Sequence, residues 1–135
     1  MIYLLDTNAC IIYLNRPISG VRLRLELLSP QDIAVCSVVK AELFYGAMRS
    51  NNPERTLASQ EVFLNNFVSL PFDDAAARVY GRIRAELAVL GTPIGPNDLQ
   101  IAAIALVNNL ILVTHNTGEF SRVNGLQFED WEEVG

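Results

Sequence analysis

The chain has 135 residues, half of them hydrophobic and 19% charged, which is the length of one domain spanning 1–135 with enough apolar content for a core, and excludes a disordered tail. Its longest apolar runs, 101–107 and 110–113, fall far short of the roughly 20 residues of a membrane span, and Met1-Ile2-Tyr3-Leu4-Leu5-Asp6 offers neither a basic leader nor a small-residue cleavage site, so no membrane partner and no signal peptide are expected. The net charge of −5 is concentrated in residues 119–135, where Glu119, Glu129, Asp130, Glu132 and Glu133 stand against Arg122, so the remainder carries only −1 and the acidity does not exclude a nucleic-acid partner.

Ile2–Leu5 reads as a short apolar strand that stops at Asp6. Thr7–Leu14 is a helix ended by Asn15-Arg16-Pro17, and 19–28 is a second, amphipathic one closed by Ser29-Pro30. Ile33–Cys36 is a buried strand, and Ser37 is expected to N-cap a helix running to about Arg49. Ser50-Asn51-Asn52-Pro53 makes a turn, with Pro53 opening a helix to about Phe67. Val68–Phe72 is a third strand. Asp73 caps a long helix through Leu90, and Gly91 is its stop. Thr92–Asn97 is a rigid loop, Asp98 opens a very apolar helix to about Val107, and Leu110–Val113 is a fourth strand. Pairs such as Arg22/Glu26 and Arg82/Glu86 fit helical i,i+4 spacing. Cys10 and Cys36 lie in apolar surroundings and read as buried free thiols of a reducing cytoplasm; no CxxC or His/Cys cluster suggests structural zinc.

The order β-α-α-β-α-α-β-α-α-β predicts an α/β fold with a parallel sheet wrapped by helices on both faces. Ligands of such sheets sit beyond the carboxyl ends of the strands. Asp6 follows the first strand, Glu42 lies one turn into the helix after the second, Asp98 is in the first turn of a helix, and Thr114-His115-Asn116-Thr117-Gly118-Glu119-Phe120 follows the fourth strand. Asp6 and Asp98 each have an ordinary explanation as helix-terminus acids. Glu42 does not, because it interrupts an apolar stretch between Ala41 and Leu43.

Three carboxylates about 5 Å apart would repel by roughly 3 kcal/mol per pair at an effective dielectric near 20. The total approaches the whole stability of a small domain, so such a cluster must hold protons or a cation. Oxygen-only ligands favour Mg²⁺ or Mn²⁺, and a hard ion at the mouth of an α/β sheet suits phosphodiester hydrolysis.

Leu4-Leu5-Asp6-Thr7-Asn8, Ala41-Glu42-Leu43-Phe44-Tyr45-Gly46-Ala47, Gly95-Pro96-Asn97-Asp98-Leu99-Gln100-Ile101-Ala102 and Leu112-Val113-Thr114-His115-Asn116-Thr117-Gly118-Glu119-Phe120 together resemble PIN-domain ribonucleases, and among them the VapC-type toxins of toxin–antitoxin modules. The resemblance spans nearly the whole chain. It implies a three-layer α/β/α fold with a central parallel sheet of four to five strands. It also implies a Mg²⁺- or Mn²⁺-dependent endoribonuclease in which Asp6, Glu42 and Asp98 hold the metal and activate water, with Thr7, Asn8 and Thr114 as supporting hydrogen-bonders. The family's fourth acid falls at Asn116, a catalytic candidate that cannot carry charge; either Glu119, three residues on, substitutes for that acid, or Asn116 itself ligates through its carbonyl oxygen or bonds a metal-bound water. The expected partners are RNA, with tRNA and the initiator tRNA anticodon stem-loop as the target, a VapB-type antitoxin that blocks the crevice, a second copy of the chain, and operator DNA only through the antitoxin complex. Arg16, Arg49, Arg82 and Arg84 are candidates to line the RNA's approach, and the acidic end with Trp131 is either a solvated tail or a docking segment.

Other chemistries fit less well. A single histidine, His115, cannot supply the two imidazoles of an acid–base ribonuclease, and no G-x-S-x-G elbow supports a serine hydrolase. An aspartyl phosphotransferase with Asp6 as nucleophile would want a second acid where Asn8 stands and a phosphate-binding lysine, for which only Lys40 exists. A catalytically inactive PIN-like interaction module has no need of all three core acids.

Overall fold

The computed structural model describes residues 1–132. Five strands, β1 (Tyr3–Leu5), β2 (Ile33–Cys36), β3 (Val68–Leu70), β4 (Ile111–Val113) and β5 (Phe128–Glu129), form one sheet in the order β3-β2-β1-β4-β5. Every pairing is parallel. The connecting helices are α1 (Thr7–Asn15), α2 (Gly20–Leu27), α3 (Ser37–Met48), α4 (Pro53–Leu64), α5 (Asp74–Leu90), α6 (Pro96–Val107) and the single turn α7 (Thr117–Phe120). The α/β/α layering is the one expected from the sequence, and the sheet has the upper of the two strand numbers.

Short apolar runs make central strands here because both faces of the sheet are covered. Leu4, Leu5, Ala34, Val35, Cys36 and Leu112 have no exposed surface. The chain runs outward from β1 through β2 to β3, then returns past β1 to β4. Right-handed crossovers therefore place the helices following β1 and β2 on one face and those following β3 and β4 on the other. The direction reverses between β1 and β4, and this switch point is where an open parallel sheet leaves a crevice at its carboxyl edge.

The helices follow from their patterns. In α5, Ala76, Ile83 and Leu87 form a buried stripe, while Asp73 accepts a hydrogen bond from the Ala76 amide at 2.9 Å and Gly91 adopts φ +69°, the left-handed stop that a side chain would strain. Helix α6 packs against α5 and buries Leu99 and the whole run Ile101–Ala105, as a helix covered nearly all round must.

Three local expectations are corrected and a fourth holds. The N-cap position of α3 is Cys36, and Ser37 is already helical, with no side-chain cap bond. Helix α6 begins at Pro96, so Asp98 stands at its third position. Arg22 does not pair with Glu26: its guanidinium donates to the carbonyls of Tyr13 and Arg16 and lies 4.0 Å from the Tyr13 ring centroid, tying α2 to the end of α1. Arg82 and Glu86 do pair, at 3.2 Å.

Up to Glu132 the acidic end is packed against the domain and is not a solvated tail; Glu133 lies outside the described residues. Residues Phe128 and Glu129 pair with Leu112 and Val113 as the edge strand. Trp131 is 5% exposed, meets Tyr3 edge-on at 5.1 Å and donates its indole N–H to Glu129 at 3.0 Å. The Glu132 carboxylate then accepts the backbone amides of Gly20 at 2.6 Å and Val21 at 3.3 Å, capping α2 from a remote part of the chain.

Candidate active site

Asp6 leaves the end of β1 and N-caps α1, its Oδ1 accepting the Ala9 amide at 2.8 Å. Its own amide donates to the Val113 carbonyl at 3.1 Å, so the ends of β1 and β4 are clamped together at the switch point. Asp6 is only 3% exposed. Burial pushes its carboxyl up to about 6; hydrogen bonds from the Thr114 hydroxyl and the Ala9 amide oppose that, and the charges of Glu42 and Asp130 add to it. The Thr114 oxygen also accepts the Asn116 amide at 2.9 Å, which links the loop after β4 directly to Asp6.

Glu42 comes from α3 and is held by the Thr7 hydroxyl, which donates to its Oε1 at 2.6 Å. Asp98, in the first turn of α6, is pushed up to about 7, chiefly by burial, then by a hydrogen bond shared with the Glu119 carboxyl and by the charges of Glu119, Glu42 and Asp6. The Asn116 amide donates a short hydrogen bond to Glu119 Oε2. Asn116 thus steers Glu119 toward Asp98. Asp6, Thr7, Asn8, Ile11, Glu42 and Asp98 line a cleft of about 360 Å³.

A scan against family models matches residues 3–126 to the PIN domain. A protein named tRNA(fMet)-specific endonuclease VapC, from Shigella flexneri, is 46% identical over 129 residues, covering 96% of this chain and 97% of that one. Ribonuclease VapC2 from Rickettsia felis is 39% identical over 98% of this chain and 99% of its own. The chain belongs to the PIN domain family and, within it, to the VapC ribonucleases. Among solved structures, DNA-bound VapBC from Salmonella typhimurium superposes with a TM-score of 0.92 at 41% identity, covering 97% of this chain and 98% of that one. VapBC2 from Rickettsia felis, bound to a promoter DNA fragment, superposes with a TM-score of 0.90 at 38% identity over 97% and 99%.

The PIN domain's crevice therefore gathers Asp6, Glu42, Asp98 and Glu119 from four separate helical segments, with Thr7, Thr114 and Asn116 bonded to them and Asn8 in the wall. Among the described residues, no ion pair reaches any of the four acids. No three acidic, histidine or cysteine side chains among the described residues close into a ready-made metal cage as they stand: the Glu42 Oε1 faces Thr7, and the Asp98 carboxyl shares its hydrogen with Glu119. The donors are nonetheless all hard oxygens. The two thiols are pushed up by burial, Cys36 to about 11 and Cys10 well above the ordinary thiol range, so both are neutral and inert as ligands.

The arginines named from the sequence do not line this cleft. Arg16 pairs with Glu132 at 3.7 Å, Arg82 with Glu86, and Arg84 donates to the Tyr80 hydroxyl at 2.8 Å; Arg49 lies over the Tyr45 ring on α3. Sequence reasoning missed Asp130, which is close enough to raise the Asp6 carboxyl and bonds His115 Nδ1 at 2.9 Å. Nothing in the run of acids around Trp131 distinguishes it; only the pairing of β5 with β4 brings it beside the loop after β4.

Proposed function

We propose that this chain is a divalent-metal-dependent endoribonuclease that hydrolyses RNA, with tRNA, and within it the initiator tRNA anticodon stem-loop, as its target. The support for the target is the name carried by the Shigella flexneri relative. The observation that carries the reading is the crevice itself: two carboxyls held above their ordinary range, Asp6 and Asp98, beside Glu42 and Glu119 at the sheet's switch point.

Asp6, Glu42 and Asp98 would hold Mg²⁺ or Mn²⁺, with Glu119 taking the place of the fourth acid. The all-oxygen donor set and the raised carboxyls fit a hard cation, which would relieve the repulsion now met by protons. When bound, the ion supplies phosphate polarisation and a lowered pKa for the attacking water. The chain's own residues supply position. The Ala9 amide and Thr114 hydroxyl fix Asp6, the Thr7 hydroxyl fixes Glu42, and Asn116 fixes Glu119. The attacking water gives up a proton as the new phosphorus–oxygen bond forms. The bond from phosphorus to the leaving ribose oxygen breaks in the same displacement, and that oxygen takes a proton from the crevice.

The VapBC complexes that superpose on this chain, both bound to DNA, support an antitoxin partner and operator DNA met through that complex; on this reading the antitoxin blocks the crevice. A homodimer belongs to the same reading. The decisive experiment is expression of the chain and of Asp6→Asn in cells, followed by mapping of new RNA 5′ ends. The wild type should produce new ends in tRNA and arrest growth, and Asp6→Asn should do neither. Purified protein should cut with Mg²⁺ or Mn²⁺ and stop in EDTA. Wild-type cleavage by Asp6→Asn, or undiminished cleavage in EDTA, would overturn the reading.

A further inference from the structure

The cleft does not end at Glu42. On its other side a second depression, of about 390 Å³, is lined by Ala41, Glu42, Tyr45 and Asn97. Glu42 is the wall between the two. Tyr45 is 64% exposed, an unusual state for an aromatic ring within one helical turn of a buried acidic site. Glu42, Tyr45 and Arg49 stand at i, i+3 and i+7 of α3, so they share one face of the helix. The Arg49 guanidinium lies 5.4 Å from the Tyr45 ring centroid, and none of the described carboxylates forms an ion pair with it. From the crevice outward the stripe reads carboxylate, aromatic face, cation. Opposite it, Asn97 brings an amide with both a donor and an acceptor from the residue next to Asp98.

We propose that this depression is a nucleobase subsite, taking the unpaired base of a nucleotide flanking the scissile phosphodiester. The proposal rests on the ribonuclease reading and assigns residues to its substrate specificity. Tyr45 supplies a stacking face, which is how proteins hold splayed-out RNA bases. Asn97 supplies hydrogen bonds to a base edge, and Arg49 supplies charge for the next phosphate outward. A small residue, Ala41, leaves the floor open. A subsite beside rather than inside the acidic crevice lets the base be gripped while its phosphate lies over the carboxylates. The lining is largely apolar, with the Glu42 carboxylate and the Asn97 amide at its edges and the Arg49 cation beyond its outer end, an arrangement that fits the face, the edge and the adjoining phosphate of a nucleotide.

The test uses the full chain. Anisotropy of a fluorescent single-stranded RNA of the cleaved loop sequence reads binding in the Asp98→Asn background. There Tyr45→Ala should weaken binding about tenfold and Tyr45→Phe by less than about twofold. In cleavage, Tyr45→Ala should raise KM by a similar factor and leave kcat nearly unchanged. An RNA abasic at the nucleotide flanking the cut should lose the same factor on the wild type and lose nothing further on Tyr45→Ala. Unchanged binding and KM in Tyr45→Ala would overturn the subsite. So would a shift of Tyr45→Ala from dimer to monomer in sedimentation without a change in KM, because the Tyr45–Met48 face would then join two copies. Should the wild type cut no RNA while Tyr45→Ala still loses RNA binding, the ribonuclease reading falls and the base subsite stands.

Discussion

At the scale of single residues, Asp98 and Asp6 make the chain's stability depend on pH in a direction opposite to that of most acids. The usual carboxylate is stabilised in its ionised form, and its folded-state pKa falls. Here the values rise from 3.8 to about 7 and about 6. Between those limits the folded chain holds protons that the unfolded chain has released, so raising the pH strips the folded state selectively and lowers its stability. In EDTA, Tm should fall as the buffer moves from about pH 5 to about pH 8, and Mg²⁺ should restore it most at the upper end. Asp98→Asn should abolish cleavage yet flatten that fall and raise the metal-free Tm at pH 8. Scanning calorimetry of the two proteins checks this. A Tm that rises with pH in EDTA would mean the carboxyls are not held protonated.

At the scale of elements, the N-terminus of α2 shows how a remote acid and a missing side chain are matched. Ser19 satisfies the Arg22 amide at 3.1 Å, and Glu132 satisfies Gly20 and Val21. A Cβ on Gly20 would lie 1.9 Å from the Trp131 carbonyl oxygen, so only glycine lets the strap come down on the helix. Gly20→Ala should cost about 1–3 kcal/mol through forced backbone displacement, and Glu132→Gln about 0.5–2 kcal/mol as a weakened cap. Urea titration of the two variants measures both. A neutral Gly20→Ala would show that the strap is free to lift.

The strand–helix alternation was legible because each central strand is a short, wholly apolar run, and because Asp73, Pro53 and Gly91 mark helix ends with unambiguous chemistry. The grouping of Asp6, Glu42 and Asp98 was legible because the carboxyl-edge rule turns chain order into position. Other features were not. Strand β5 is two residues long, has no period to detect, and exists by pairing with β4. Arg22 bonds backbone carbonyls rather than a side chain that spacing could reveal. The contact of Glu119 with Asp98, and of Asp130 with His115, joins elements whose distance apart in sequence says nothing about their distance in space.

At the scale of the whole molecule, the last described residues complete the outer edge of the sheet. Trp131 is packed on Tyr3, held to Glu129, and covered by Arg24, whose guanidinium lies 5.0 Å from its ring centroid and 3.3 Å from the Glu129 carboxylate. Trp131→Ala should cost about 3–5 kcal/mol, and it should do so without a proportional loss of kcat in the molecules that remain folded, because the ring touches none of the acids of the crevice. Paired unfolding and cleavage measurements separate the two effects. A loss of kcat at full foldedness would place the strap in the chemistry.

Strand β1 is made first and pairs on both sides, with β2 and with β4. Its second neighbour comes from the far end of the chain, and the clamp between Asp6 and Val113 cannot form before that neighbour exists. Pairings of such long reach are slow to form. A fragment released early from the ribosome, or one nicked between the two halves, would therefore carry Asp6 with nothing opposite it. On the proposed ribonuclease function, cleavage is thus deferred until almost the entire polypeptide has been translated.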